Sequence, residues 1–435
     1  MTWRDEYRSK LTTAERVARL VESGDHVVLP GCGAAPWSFL NALVARSDEL
    51  AGVRICHASL WGDLPHLRPE LHDRIVYKSF SLVTPNARAL IDEGRAEFVP
   101  VGLADLPRLM LRGHLPVDVA VLSLTPPDEH GYCSYGSYVA YMKAAAESAK
   151  VRIAEINDQM PRTHGDTLVH VSEIEHLLEV SYPLTPIPPP KPPTETERQI
   201  GHHVADLVDD GSTLQLGRGG IPDAVLSYLR DKRDLGIHTE MFSDGVVDLV
   251  ERGVITGGRK TLHPGKLVAG FLDGSERLYD FVRDNPMVEM RRSEYVNDPA
   301  VIGQNDNLVA INAALEIDLT GQINTESFAT RLFAGVGGQL DFALGSQVGR
   351  NGRYVVALPS TASGGRVSRI TAQFAAGTAV TIPRTLTHYV VTEHGIADLR
   401  GKTLAERAQA LIAIAHPDFR EELERSARER RDVFF

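Results

Sequence analysis

Asp209-Asp-Gly-Ser-Thr-Leu-Gln-Leu-Gly-Arg-Gly-Gly-Ile-Pro222 reads as a short strand, Ser212–Leu216, that ends in a glycine turn and opens a helix. A related stretch stands near the start of the chain: Glu22-Ser-Gly-Asp-His-Val-Val-Leu-Pro-Gly-Cys-Gly-Ala-Ala-Pro36. With one extra residue allowed in the earlier stretch, Gly24, Leu29, Gly31, Gly33 and Pro36 fall on Gly211, Leu216, Gly217, Gly219 and Pro222. A second pair follows, His57-Ala-Ser-Leu-Trp-Gly-Asp63 against His238-Thr-Glu-Met-Phe-Ser-Asp244. In this alignment Ser59 stands where the later copy carries Glu240. Two similar halves with one carboxylate between them imply that the second half does chemistry and the first helps to enclose a substrate.

Working outward, Thr194-Glu-Thr-Glu197 and Thr12-Thr-Ala-Glu15 each have the Thr-x-x-Glu form of a helix capping box. An amphipathic helix follows each one, then the strand, the glycine turn and a further helix (37–45 and 224–230). Elsewhere short apolar runs (117–124, 168–171, 308–313, 354–358, 389–392) alternate with helical patterns, the mark of an α/β fold with largely parallel sheets. Pro186-Ile-Pro-Pro-Pro-Lys-Pro-Pro193 is a stiff, extended boundary between the copies. The expected organisation is therefore two similar open α/β domains, residues 1–185 and 194–435, joined by a linker at 186–193, with the active site between them. The segment from Thr403 to about Arg430 is helical and charged and reads as an outer cover.

With 435 residues, 43% hydrophobic and 24% charged, the chain has an ordinary globular mixture and enough length for two cores. No apolar run approaches the roughly 20 residues that span a bilayer, and Met1–Lys10 has no signal-peptide pattern. Three separated cysteines, Cys32, Cys56 and Cys133, form neither a disulfide framework nor a zinc spacing, so a cytoplasmic location and no membrane partner are expected. A net charge of −11 argues against nucleic acid as a partner. The 16 histidines show no metal-ligand spacing, and His202 and His203 are expected on different sides of a helix, so no metal is assigned.

Two glycine turns, Gly217-Arg-Gly-Gly220 and Gly335-Val-Gly-Gly338, can bring backbone N–H groups close to an oxyanion or phosphate, or can be simple tight turns. Neither has the full Gly-x-Gly-x-x-Gly spacing of a dinucleotide site. Gly401-Lys-Thr403 resembles the end of a phosphate loop, but Gly395 is one residue too far upstream, and Thr403-Leu-Ala-Glu406 explains the segment as a helix start. Glu240, at the end of a β-like segment before a helix at 246–252, is either a ligand-cleft carboxylate or a cap for that helix.

The longer motifs resemble the acetyl-CoA hydrolase/transferase family, the class I CoA-transferases, and among them the 4-hydroxybutyrate and acetate CoA-transferases. They are Leu214–Pro222, His238–Val250, Ile311–Gln322, Gly335–Phe342, Ala357–Thr361, Val391–Ala397 and Ile414–Phe419, with Pro126–Ser134 in the first half. The resemblance implies a transfer of coenzyme A between acyl-CoA and a carboxylate, with acyl-CoA hydrolysis as the alternative. It places the nucleophile at Glu240 and oxyanion donors at the Arg218 and Gly338 N–H groups and the Asn297 side chain. Gln215 is expected to orient Glu240. Leu216, Gly217, Arg218, Gly219 and Gly220, with Gly335, Gly337 and Gly338, are expected on the coenzyme side. Coenzyme A or acyl-CoA is then a substrate, no cofactor is tightly bound, and a homodimer or larger homo-oligomer is expected. Arg218 stands where the family usually carries a small or aliphatic residue, which leaves its side chain to solvent, to a second carboxylate of the acyl group or to a coenzyme A phosphate.

Overall fold

Gly24 and Gly211 show why the two copies fold alike. Each has positive φ, +88° and +78°, a conformation that costs glycine little. Each N–H reaches back to the segment ahead of the next strand, Gly24 to the Ala51 carbonyl at 2.9 Å and Gly211 to the Arg233 carbonyl at 2.8 Å. The turn thus launches the strands His26–Val28 and Thr213–Leu216 beside their neighbours Val53–His57 and Gly236–Phe242.

The computed structural model describes residues 2–81, 84–187, 191–430 and 434. The chain forms two units, Met1–Pro189 with Val268–Val296, and Pro190–Leu267 with Asn297–Phe435. The segment Val268–Val296, expected in the second domain, therefore groups with the first. Pro188–Pro190, the middle of the expected stiff linker, lies outside the described residues.

In the first unit one parallel sheet runs in the order His176–Val180, Val151–Asn157, Val119–Leu124, His26–Val28, Val53–His57, Ile75–Ser79, Ala96–Phe98. Its interior strand Val119–Leu124 is buried at every position, as a parallel strand covered on both faces should be. Val27, Leu29, Phe39, Leu40, Leu43 and Ile55 fill the core beneath the helix Trp37–Ala45. In the second unit the strands Tyr389–Thr392, Arg353–Ala357, Leu308–Ala313, Thr213–Leu216 and Gly236–Phe242 lie in the same spatial and sequential order as the first five of that sheet. An antiparallel strand, Gly395–Asp398, closes its edge. The repeat read from the glycines is a repeat of topology.

Caps set the helix starts. Thr194 accepts the Glu197 N–H at 3.3 Å and Glu197 returns a carboxylate to the Thr194 N–H at 2.7 Å, so the expected box is made. The same holds at Thr403 and Glu406, which commits the Thr403 hydroxyl to the helix Leu404–Ala413. In the first half the cap falls one residue later than expected: Thr13, not Thr12, caps Ala14–Ala18. The charged C-terminal stretch is two helices, Leu404–Ala413 and Pro417–Glu429, because Pro417 can begin a helix but not continue one.

Candidate active site

Two turns with the same glycine pattern have different surroundings. A Cβ on Gly31 would lie 2.5 Å from the Tyr138 ring, and one on Gly33 would lie 2.6 Å from the Thr185 carbonyl. The first copy's turn is thus filled by its own unit. At Gly217 and Gly219 a Cβ would meet none of the described residues within 4 Å. The second copy keeps its turn open, and it is also the copy that carries the carboxylate.

Glu240 lies on Gly236–Phe242, a strand whose first four residues are buried and whose Glu240 and Met241 are half-buried. Its Oε2 accepts the Asn297 Nδ2–H at 3.0 Å, and the Gly338 N–H also donates to its carboxylate. Burial pushes its pKa above the ordinary carboxylate value, and those two donors pull the other way without reversing the shift.

Each donor is positioned by packing. Gly338 caps the ten-residue helix Gln339–Val348 and offers no side-chain cap, so the Glu240 carboxylate stands at a helix N-terminus, where negative charge is favoured. That helix buries Gln339, Phe342, Ala343, Gly345 and Ser346. Gly345 lets it approach Pro299–Ile302 closely, since a Cβ there would come within 2.4 Å of Ile302 Cγ2. Asn297 immediately precedes that short helix, whose cap Asp298 accepts the Ala300 N–H at 2.7 Å. Asn297 is fully buried, its Nδ2 also reaches Asp341 Oδ2 at 3.4 Å, and its Oδ1 accepts no hydrogen bond among the described residues. Gly338 must be glycine: a Cβ there would lie 1.9 Å from Glu240 Oε2 and 2.0 Å from Asn297 Nδ2.

Glu240, Asn297 and Gly338 therefore come together as expected, with Gly337 beside them at φ +57°, and Gly335 is half-buried in the same turn. Gln215 does not orient Glu240. Its amide pairs with Asn312, receiving the Asn312 Nδ2–H at 2.9 Å, on the strand that neighbours it on the other side. Leu216 and Gly220 are poor candidates for the coenzyme side. Leu216 is buried with its N–H and C=O both bonded to the Thr239 hydroxyl. A Cβ on Gly220 would meet the Glu197 carboxylate at 2.1 Å, so this glycine allows two helices to pack.

Arg218 is half-buried, and its charge lowers the pKa of Asp223, against burial, which dominates and raises it. A carboxylate of the chain itself thus already lies in the field of this guanidinium. Sequence reasoning missed Thr239, although its place before Glu240 in a strand was a usable signal. His202 and His203 do not diverge as expected: their ligating atoms and that of Asp206 lie within 4.8 Å of one another on an exposed helix face.

A partly desolvated carboxylate, two N–H donors converging on it, and an open glycine turn at the end of a neighbouring strand form an arrangement that can stabilise the oxyanions of acyl chemistry. Comparison with known proteins agrees. Models of the acetyl-CoA hydrolase/transferase N-terminal and C-terminal domains match residues 1–188 and 274–427. The 4-hydroxybutyrate coenzyme A transferase of Clostridium kluyveri is 46% identical over 97% of this chain and 98% of its own. The succinyl-CoA:cyclohexane-1-carboxylate CoA transferase of Geobacter metallireducens is 44% identical over 98% and 97%. The crystal structure of RipA from Yersinia pestis superposes with a TM-score of 0.92 at 39% identity, covering 99% of each chain. The chain belongs to the acetyl-CoA hydrolase/transferase family and is an enzyme of the CoA-transferase type. Among the described residues no helix is long and apolar enough to cross a membrane.

Proposed function

We propose that the enzyme moves coenzyme A between a short-chain acyl-CoA and a free short-chain carboxylate, of the 4-hydroxybutyrate or acetate kind, through a thioester on Glu240. The observation that carries this reading is the Glu240 carboxylate held between Asn297 Nδ2 at 3.0 Å and the Gly338 N–H. An ionised Glu240 oxygen attacks the thioester carbonyl; the C–S bond breaks, leaving an acyl-glutamyl anhydride and coenzyme A thiolate. The thiolate attacks the Glu240 carbonyl carbon of that anhydride, freeing the first acid as its carboxylate and forming glutamyl-CoA. The incoming carboxylate then attacks the glutamyl carbonyl and expels the thiolate. The thiolate takes the new acyl group and restores Glu240. Each step exchanges one anion for another, so no proton or electron is gained or lost.

Each addition develops an oxyanion, and a donor aimed at it contributes about 3–4 kcal/mol. Asn297 Nδ2 and the Gly338 N–H are the donors within reach, and the backbone of Arg218 in the open turn is a third in this reading. The raised pKa of Glu240 fits a nucleophile that is more basic than an exposed carboxylate. The same reading expects a cytoplasmic homo-oligomer; the three cysteines are buried.

Incubation with acetyl-CoA followed by hydroxylamine should convert Glu240, and no other glutamate, to a hydroxamate detectable by peptide mass. Wild-type protein that turns over without this mark, or Glu240→Ala with full activity, would end the proposal. The family's name joins hydrolase and transferase. Loss of acetyl-CoA at the same rate with and without added butyrate would assign hydrolysis in place of transfer.

A further inference from the structure

We infer that Thr239 is a positioning residue, one that holds the nucleophile and the open glycine turn in register; the inference rests on the Glu240 reading above. Thr213–Leu216 is registered with Leu308–Ala313 through Leu216, but with Gly236–Phe242 only at Thr213 and Leu214. Beyond that point the two strands separate, and the backbone of Leu216 loses its ladder on the Glu240 side. The Thr239 hydroxyl takes over. Its oxygen accepts the Leu216 N–H at 3.4 Å, and its proton is shared between the Leu216 carbonyl at 3.1 Å and the Met241 carbonyl at 3.0 Å.

Those partners flank the chemistry on both sides. Leu216 is the last residue before Gly217-Arg-Gly219, and Met241 follows Glu240 directly. One hydroxyl therefore ties the root of the turn to the peptide that carries the nucleophile, across the gap the separating strands create. Thr239 is 2% exposed, so no solvent competes for these bonds. Its β-branched side chain suits a strand, with one arm packed and the other serving the backbone. Thr239 touches no reacting atom in this arrangement. It acts through where it places Glu240, and a misplacement of about 1 Å costs roughly 10²-fold in rate.

Thr239→Val keeps the shape and removes every one of these bonds; Thr239→Ser keeps the hydroxyl. With acetyl-CoA and butyrate, Thr239→Val should lower kcat by about 10- to 100-fold and slow labelling of Glu240 by hydroxylamine to the same degree. The KM for acetyl-CoA should stay within about 3-fold, because misplacement acts on the chemical step. Thr239→Ser should recover kcat to within about 5-fold of wild type. A valine variant with kcat within about 3-fold of wild type, or a serine variant as slow as the valine variant, would overturn the inference. Should the valine protein fail to fold, serine decides: near-wild-type kcat supports the hydroxyl's role and a tenfold loss or more refutes it. Wild-type protein that never labels at Glu240 removes the covalent reading and this inference with it. Labelling in wild type that is equally fast in Thr239→Val removes this inference alone.

Discussion

Gly338→Ala tests the site with a single carbon atom. The residue has φ −99° and ψ 8°, so alanine meets no backbone penalty, and any effect comes from where its Cβ lies. That position is 1.9 Å from Glu240 Oε2 and 2.0 Å from Asn297 Nδ2. An ordinary non-bonded contact is about 3.5 Å, so each group must retreat by about 1.5 Å. Glu240 can swing at its free end; Asn297, fully buried, cannot easily do so. The carboxylate therefore leaves both the Asn297 amide and the Gly338 N–H. Displacement of this size costs about 10²-fold in rate, near 2.7 kcal/mol of activation free energy. Losing an aimed donor adds up to another 10²- to 10³-fold. We expect kcat for transfer between acetyl-CoA and butyrate to fall by about 10³-fold, with a loss of 1–3 kcal/mol in stability, about that of overpacking a core.

Gly337→Ala is the control. That glycine has φ +57°, and its Cβ would stand 3.8 Å from Glu240 Oε1, an ordinary contact. Alanine there strains the backbone by about 1 kcal/mol without pressing on the carboxylate, so stability should drop while kcat stays within about 10-fold. Steady-state kinetics and urea unfolding on the two variants read both quantities. A Gly338→Ala enzyme with kcat near wild type, or a Gly337→Ala enzyme equally slow, would refute the argument that Gly338 is glycine to admit the carboxylate.

Asn297→Ala should lower kcat by about 10²- to 10³-fold. It also deletes a hydrogen bond that lowers the Glu240 pKa, so the acid limb of the kcat/KM profile should move to higher pH; an unmoved limb would detach Asn297 from the nucleophile. Glu155, fully buried at the start of the helix Trp37–Ala45, has its pKa raised from 4.5 to about 7 by burial, opposed by its bonds to Tyr182 and the Phe39 N–H. A raised carboxyl pKa favours the folded state at low pH and that advantage is lost as pH rises through 7, amounting to about 3 kcal/mol between pH 4 and 8. Glu155→Gln should flatten that part of the stability-against-pH curve, as followed by urea unfolding, and an unchanged slope would show that Glu155 does not titrate there. Arg218→Val should reduce the specificity constants for acetate and succinate by similar factors, since the guanidinium already acts on the Asp223 carboxylate; a loss confined to succinate would turn it toward the acyl group.

How much of this could be read from the chain depends on whether a feature is local. The repeat was legible because a positive-φ glycine, a short strand and a glycine turn are set by neighbouring residues, and Gly24 and Gly211 do the same work in both copies. Glu240 was legible by contrast, as the carboxylate opposite Ser59. Gln215 was misread because a side chain's partner depends on its strand face and on which neighbour it meets across the sheet. The strand pairs Gln215 with Ala310, and the amide finds Asn312 two residues along on that side. The glycines show the same limit: Gly31 and Gly217 match in sequence, yet distant Tyr138 fills one turn and leaves no counterpart at the other. Nor does local sequence reveal that Gly345 brings the Gln339–Val348 helix against Pro299–Ile302. That packing sets the distance from the Asn297 amide to the Gly338 N–H, and so decides whether two donors can meet on one carboxylate. In the proposed reading, the nucleophile is a local feature of the strand and its activation a property of three segments held by their cores.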